Sequence, residues 1–289
     1  MLSLARLRVL AAVARYGSVT AAADALHYAQ ASVSHHLARL EAETGAVLLQ
    51  RVGRGVRLTE AGLLLAGRAE EILGRLDAAE AELSALTGLR AGRVRLAAFP
   101  SALGTVVPDA LARLAADHPG VVVSLTEAEP PEAVRLLRAG TVDVALLFGY
   151  ADEPAPADLR TVELLAEPIH LVTPDGAGTS LVAYADARWI AGCERCRQHL
   201  LRRCAAAGFT PDIAYTTDDY VAVQRLVAAG LGVGTLPGLA LAASRDAGVV
   251  TVPLPDDSRS VYVATYGAPP DPPATAALRT ALAAAAAEI

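Results

Sequence analysis

The sequence predicts an α/β protein in three parts: an amino-terminal winged helix-turn-helix, a long linking helix, and a larger body of strands and helices. Three observations carry this prediction. Apolar residues recur at helical spacing from Leu4 to Leu40 and are followed by a Gly-rich hairpin segment. A 4,3 apolar spacing then runs from Leu65 to Leu86. Beyond Arg93, short apolar runs alternate with helical segments.

In the first part, Leu4, Leu7, Leu10 and Val13 keep a helical period, and Gly17 in "YGS" ends it. Ser18 is placed to cap the next short helix, "VTAAADAL". A brief "HYA" turn leads to a third helix from about Gln30 to Glu43, and two helices joined by so tight a turn form a helix-turn-helix. At about 100° per residue from Val33, Leu37 and Leu40 fall within about 40° of it and make a buried stripe. Ala31, Ser34, His35 and Ala38 lie opposite, flanked by Ser32 and Arg39. A slim face with short donors and acceptors can approach base edges in a major groove, where bulk would hold a helix off. An ordinary solvated helix face would carry similar residues. The segment that follows favours DNA: "LLQRVGRGVRLT" reads as strand, turn, strand, with Arg54 at the tip and Arg51 and Arg57 on the arms. Arginine on a thin turn reaches phosphates or the minor groove.

"GSVTAAADALHYAQASVSHHLARLEAETG", followed by "RGVRLTEAG", resembles the winged helix-turn-helix of LysR-type transcriptional regulators over roughly residues 3–62. The resemblance implies that Gln30, Ser32, Ser34 and His35 face double-stranded operator DNA, helped by Arg54 on the wing. Arg39 and Arg51 complete the candidate DNA-binding set from their positions beside that face. Two departures weaken the match. Ala29 stands where the family usually has a Ser or Thr helix cap, a loss worth about 1 kcal/mol. His35 stands where Arg is common and carries little charge at neutral pH.

Thr59 can cap a long helix from about Glu60 to Leu86. Its residues Leu65, Ala69, Ile72, Leu76, Ala79, Leu83 and Leu86 form a coiled-coil seam. Leu65, Ala69, Ile72, Leu76 and Leu83 are the candidate dimerisation residues, since pairing presents two recognition helices to a two-fold site. The alternative is a helix packed on its own domain. The family resemblance implies the same homodimer, commonly doubled to a homotetramer.

The body predicts a parallel α/β sheet: strand "RVRLAAF", helix 101–118, strand "VVVSLTEAE", helix 130–140 and strand "VDVALLF". A second series follows a surface loop at 151–158. It comprises strands in "RTVELLAEPIHLVTP", short strand "WIA", helix 194–207, strand "DIAYTT", helix 218–229 and strand "GVGTLP". "SVYVATY" then leads back to a last helix near 272–288. This body resembles the LysR-type effector domain, two subdomains built like a periplasmic binding protein, through "AAFPSALGTVVP" and "LVAAGLGVGTLP". The expected domains are 1–59 for DNA binding, 60–88 for the linker and 91–289 for effector binding. Subdomain I takes about 91–162 plus 267–289, and subdomain II about 163–266. In that fold a ligand sits between subdomains where helix N-termini meet, so the candidate effector contacts are Pro100, Ser101, Ala102, Phe148, Gly149, Cys193 and Thr217. Ser101 can cap a helix and, compatibly with that, hold a carboxylate or phosphate with nearby amides, which makes an anionic effector the expectation.

Charge supports this division. The chain carries a net −6, yet residues 1–60 hold seven Arg against four acids. A basic module on an acidic body binds phosphate locally. No signal-like leader or long apolar run occurs, so a cytoplasmic protein without a membrane partner is expected. That also counts against a solute-binding protein.

Three cysteines are too few and odd for a secreted disulfide framework. Cys193 and Cys204 would lie about 16 Å apart along one helix, too far for a single zinc ion. Cys193 and Cys196 alone could form a pair if the first helical turn is irregular, which leaves a thiol- or metal-responsive regulator as the alternative. A thiol enzyme is disfavoured because no paired base, nucleophile elbow or phosphate loop accompanies Cys193. Neither an enzyme activity nor a metal or cofactor is expected.

Overall fold

The structure is a computed structural model describing residues 2–52, 55–86, 92–151, 153 and 156–289. At 51, 52, 55, 77, 78 and 80–86 it describes the backbone only. The chain divides into two compact units, one of Met1–Gly92 with Val134–Asp143 and one of Arg93–Ala133 with Val144–Ile289.

In the first unit, α1 (Leu4–Tyr16), α2 (Val19–Leu26) and α3 (Gln30–Thr44) precede a hairpin of β1 (Leu49–Val52) and β2 (Gly55–Leu58) and the long helix α4 (Glu60–Leu86). Each boundary has a local cause. Gly17 ends α1 at φ 70°, a left-handed conformation that favours glycine. The Ser18 hydroxyl then accepts from the Ala21 N–H at 3.0 Å and starts α2. His27 makes the turn at φ 54°. Thr59 starts α4 by accepting from the Gly62 N–H at 3.0 Å. The Glu41 carboxylate accepts from the Leu48 and Leu49 N–H groups at 2.7 and 3.1 Å, tying the hairpin's entry to α3. Leu7, Leu10, Val33, Leu37, Leu40 and Leu48 form the core. Removing the α2 cap with Ser18→Ala should lower stability by about 1 kcal/mol, read from chemical denaturation.

The predicted seam on α4 is only partly free. Ala69 is fully buried and Leu65 packs against the same core under α1, so these two belong to the unit's own interior. Leu76 is half-buried, Ile72 is 41 % exposed, and the Leu83 side chain lies outside the described residues. Leu63 and Leu64, just before the seam begins, are 60 and 67 % exposed, more than Ile72. The reason is packing: a helix 27 residues long shares its first turns with α1 before it has a face to offer.

The second unit contains β3 (Arg93–Ala98), α5 (Pro100–Leu103), α6 (Val106–Asp117) and β4 (Val122–Glu127), then the start of α7 (Pro130–Arg138). It continues with β5 (Val144–Tyr150), β6 (Leu159–Thr173), β7 (Arg188–Ala191), α8 (Glu194–Ala206), β8 (Asp212–Thr216) and α9 (Tyr220–Ala228). β9 (Val233–Pro237), α10 (Gly238–Ala243), β10 (Val250–Tyr266) and α11 (Pro273–Ala286) complete it. Its eight-stranded sheet has the order β4-β3-β5-β10-β6-β9-β7-β8.

The sheet is mixed, not parallel as the sequence suggested. β4, β3 and β5 run parallel at one end and β8, β7 and β9 at the other. Between them, β10 pairs antiparallel with both β5 and β6, and β6 pairs antiparallel with β9. β10 and β6 are 17 and 15 residues long, so both pass from one half to the other. The predicted helix 101–118 is two helices, broken at Gly104–Thr105. Among the described residues no helix is long and apolar enough to cross a membrane.

Candidate functional site

Two sites are built on these units, and each is described alone. On the first, Val33, Leu37 and Leu40 are buried while Gln30, Ala31, Ser32, Ser34, His35, Ala38 and Arg39 are exposed. α3 therefore presents the slim polar face that its periodicity predicted. No side chain caps α3 at Ala29, and the Ser32 N–H of its first turn donates to the Ala29 carbonyl at 2.9 Å. On the hairpin, Arg57 is exposed opposite Gln50. Arg51 lies in β1 opposite Val56, with its side chain outside the described residues, and Arg54 lies wholly outside them.

On the second unit, a half-open cleft of about 470 Å³, solvent mouth included, lies between the two halves of the sheet. Pro100, Ser101, Phe148 and Glu129 line it from one half, and Cys193, Cys196 and Thr217 from the other. The cleft thus gathers Pro100, Ser101, Phe148, Cys193 and Thr217 of the candidate contacts. It leaves out Ala102, which is fully buried in the core, and Gly149, whose strand position puts it off the wall.

Arg259, unremarked in the sequence, sits at the centre. Its Nε donates to Glu167 Oε1 and its Nη2 to Ser101 Oγ, both at 2.8 Å. Its guanidinium stacks over Phe148 at 4.1 Å and over Phe99 at 5.0 Å. Arg259 and Glu167 are only 2 and 4 % exposed, and Glu167 also accepts from the Leu239 N–H. Ser101 is thus no helix cap. Phe99 holds that position, Pro100 follows it, and the serine hydroxyl is occupied by arginine. Thr217 Oγ1 accepts from the Asp219 N–H at 3.3 Å, and Asp219 caps α9.

Glu129, between the end of β4 and the start of α7, was also missed. Its Oε2 is buried without a hydrogen-bond partner. Burial pushes its carboxyl above the ordinary glutamate range, against the opposing pull of the neighbouring Cys193 thiol and the Arg259 charge. The only signal was an acid following a strand. Arg259 had none, because "PDDSR" reads as a solvated loop.

Cys193 is the N-cap of α8, and its Sγ donates to Cys196 Sγ at 3.1 Å. Behind Cys196, Tyr150 stacks flat on His199 at 3.6 Å, and His199 Nε2 pairs with Asp257 at 2.7 Å. Cys204 is buried apart, its thiol raised to about 11 by burial. Among the described residues no group of three or more His, Cys, Asp and Glu could hold a metal ion.

Comparison with known proteins agrees with both halves. Residues 4–63 match the family described as "Bacterial regulatory helix-turn-helix protein, lysR family", and residues 87–287 match "LysR substrate binding domain". A "Probable HTH-type transcriptional regulator LrrA" of Synechococcus elongatus is 32% identical over 245 residues, covering 83% of this chain and 82% of that protein. A "Probable hydrogen peroxide-inducible genes activator" of Mycobacterium avium is 33% identical over 245 residues, covering 81% and 78%. The crystal structure of full-length CbnR complexed with its target DNA shares the fold, with a TM-score of 0.66 at 23% identity over 98% of this chain and 100% of that one.

Proposed function

The chain belongs to the LysR family of DNA-binding transcriptional regulators, and from that premise we propose how its parts divide the work. α3 enters the major groove with Gln30, Ser32, Ser34 and His35 toward base edges, while Arg39, Arg51 and Arg54 meet the backbone. Two copies pair through α4, as a dimer or as half of a tetramer. The contact uses Ile72, Leu76 and Leu83, with Leu65 and Ala69 assigned to the fold. The protein acts on DNA in the cytoplasm and turns over no substrate.

The observation that carries this reading is the sidedness of α3, where every candidate base-reading residue is exposed while Val33, Leu37 and Leu40 are buried. A small-molecule effector in the cleft would shift the oligomer between geometries, provided it binds the two unequally. The charges favour an effector other than the bare anion expected from Ser101. Arg259 is already neutralised by Glu167, whereas Glu129 offers an unused acceptor to a ligand that brings a hydroxyl, amide or amine.

Gel-shift assays on the DNA flanking its own gene test the first claim. Equal indifference to every fragment would overturn it. Footprinting during titration with a panel of amines, polyols and carboxylates tests the second. The donors should change the footprint and Glu129→Ala should abolish their effect; a footprint moved only by carboxylates refutes this assignment.

A further inference from the structure

We propose that Cys193 and Cys196 are a redox-active dithiol, oxidised to an intramolecular disulfide by a hydroperoxide that enters the cleft. The two sulfurs stand 3.1 Å apart, and a disulfide needs about 2 Å, a closure that side-chain rotation can supply. Both thiols line the cleft, so a small oxidant can reach them, while Cys204 lies buried elsewhere in the core. All three cysteines are free.

The pair is asymmetric. Cys193 donates its hydrogen bond to Cys196, so Cys193 keeps its proton and Cys196 gives its own up more readily. That hydrogen bond, the Arg259 charge and a hydrogen bond from Tyr150 draw the Cys196 thiol below its ordinary value, against burial. Cys193 is pushed up by the same shared proton and by burial. Cys196 is also the third residue of α8, where the helix N-terminus favours a thiolate.

The chemistry follows from that asymmetry. The Cys196 thiolate attacks one peroxide oxygen, the O–O bond breaks, and an alcohol or water leaves with a proton. The product is a sulfenic acid on Cys196. The Cys193 sulfur, losing its proton, then attacks Cys196 sulfur, and the S–O bond breaks to release water. In sum, two thiols and one hydroperoxide give one disulfide, one alcohol or water and one water. A dithiol reductant reverses the change. Oxidation ties the first turn of α8.

The test uses the reduced full-length chain, one equivalent of hydrogen peroxide, alkylation under denaturing conditions and tryptic mass spectrometry. Trypsin cuts after Arg195, so Cys193 and Cys196 fall on different peptides joined only by the disulfide. We expect that linked pair, with Cys204 fully alkylated and reacting about tenfold slower or less. Cys193→Ser should stop at a sulfenic acid on residue 196 that dimedone traps, and Cys196→Ser should lose the fast reaction. The proposal is overturned if Cys204 reacts as fast as the pair, if the linkage joins two chains, or if Cys196→Ser reacts like the parent. The wild-type linkage decides the matter even if a variant fails to fold. No DNA is involved, so failure here leaves the regulator reading untouched.

Discussion

Ser34→Glu should weaken specific operator binding by about 100-fold, close to 3 kcal/mol at 1.4 kcal/mol per decade. Ser34 lies on the exposed side of α3, beside the buried stripe of Val33, Leu37 and Leu40, so the new side chain projects from the surface proposed to meet the groove. A carboxylate there faces phosphates and base acceptors that repel it, and its length holds the helix away from the base edges. Stability should hardly move, since the residue is exposed and packs against nothing in the core. A gel shift paired with a denaturation curve separates the two effects. An unchanged shift would remove α3 from the recognition role.

Arg259→Ala should cost about 3–5 kcal/mol of stability, because it strands the Glu167 carboxylate among apolar neighbours. It also removes the donor to Ser101 Oγ and the cation stacked on Phe148. Pairing a neutral isostere at both positions, Arg259→Met with Glu167→Gln, should recover most of the loss, since neither half then leaves a buried charge. Urea denaturation of parent, single and double variants checks this. A single variant that loses less than about 1 kcal/mol would mean that water already screens the pair.

The first unit was legible in the sequence because its signals are local. Gly17, Ser18 and Thr59 act within three residues of where they stand, and the Val33, Leu37, Leu40 stripe needs only helical geometry. The second unit hid what depends on distant partners. "SVYVATY" reads as a strand, but Pro253, Pro255 and two aspartates disguise the first half of β10 as a loop. With that half missed, the antiparallel centre of the sheet was invisible and a parallel sheet was inferred instead. Arg259 and Glu167 lie 92 positions apart, so only the fold brings them together. Ala69 misled for the opposite reason: its spacing fits a seam, yet α1 reaches it first. Pro100, Ser101, Phe148, Cys193 and Thr217 came together because each ends a strand or starts a helix on the same side of the sheet.

Two strands that thread both halves of one sheet restrict how its walls can travel. Sliding one wall past the other would shear every hydrogen bond between β6 and β10, whereas bending them breaks few. Their ladder is interrupted between Pro253 and Ser258 and again between Val261 and Tyr262, so bending there would break the fewest hydrogen bonds. Arg259 and Glu167 face each other across it, which makes the ion pair a rivet through the axle. A ligand that closed the cleft would therefore have to turn its walls about a line that the protein has already pinned.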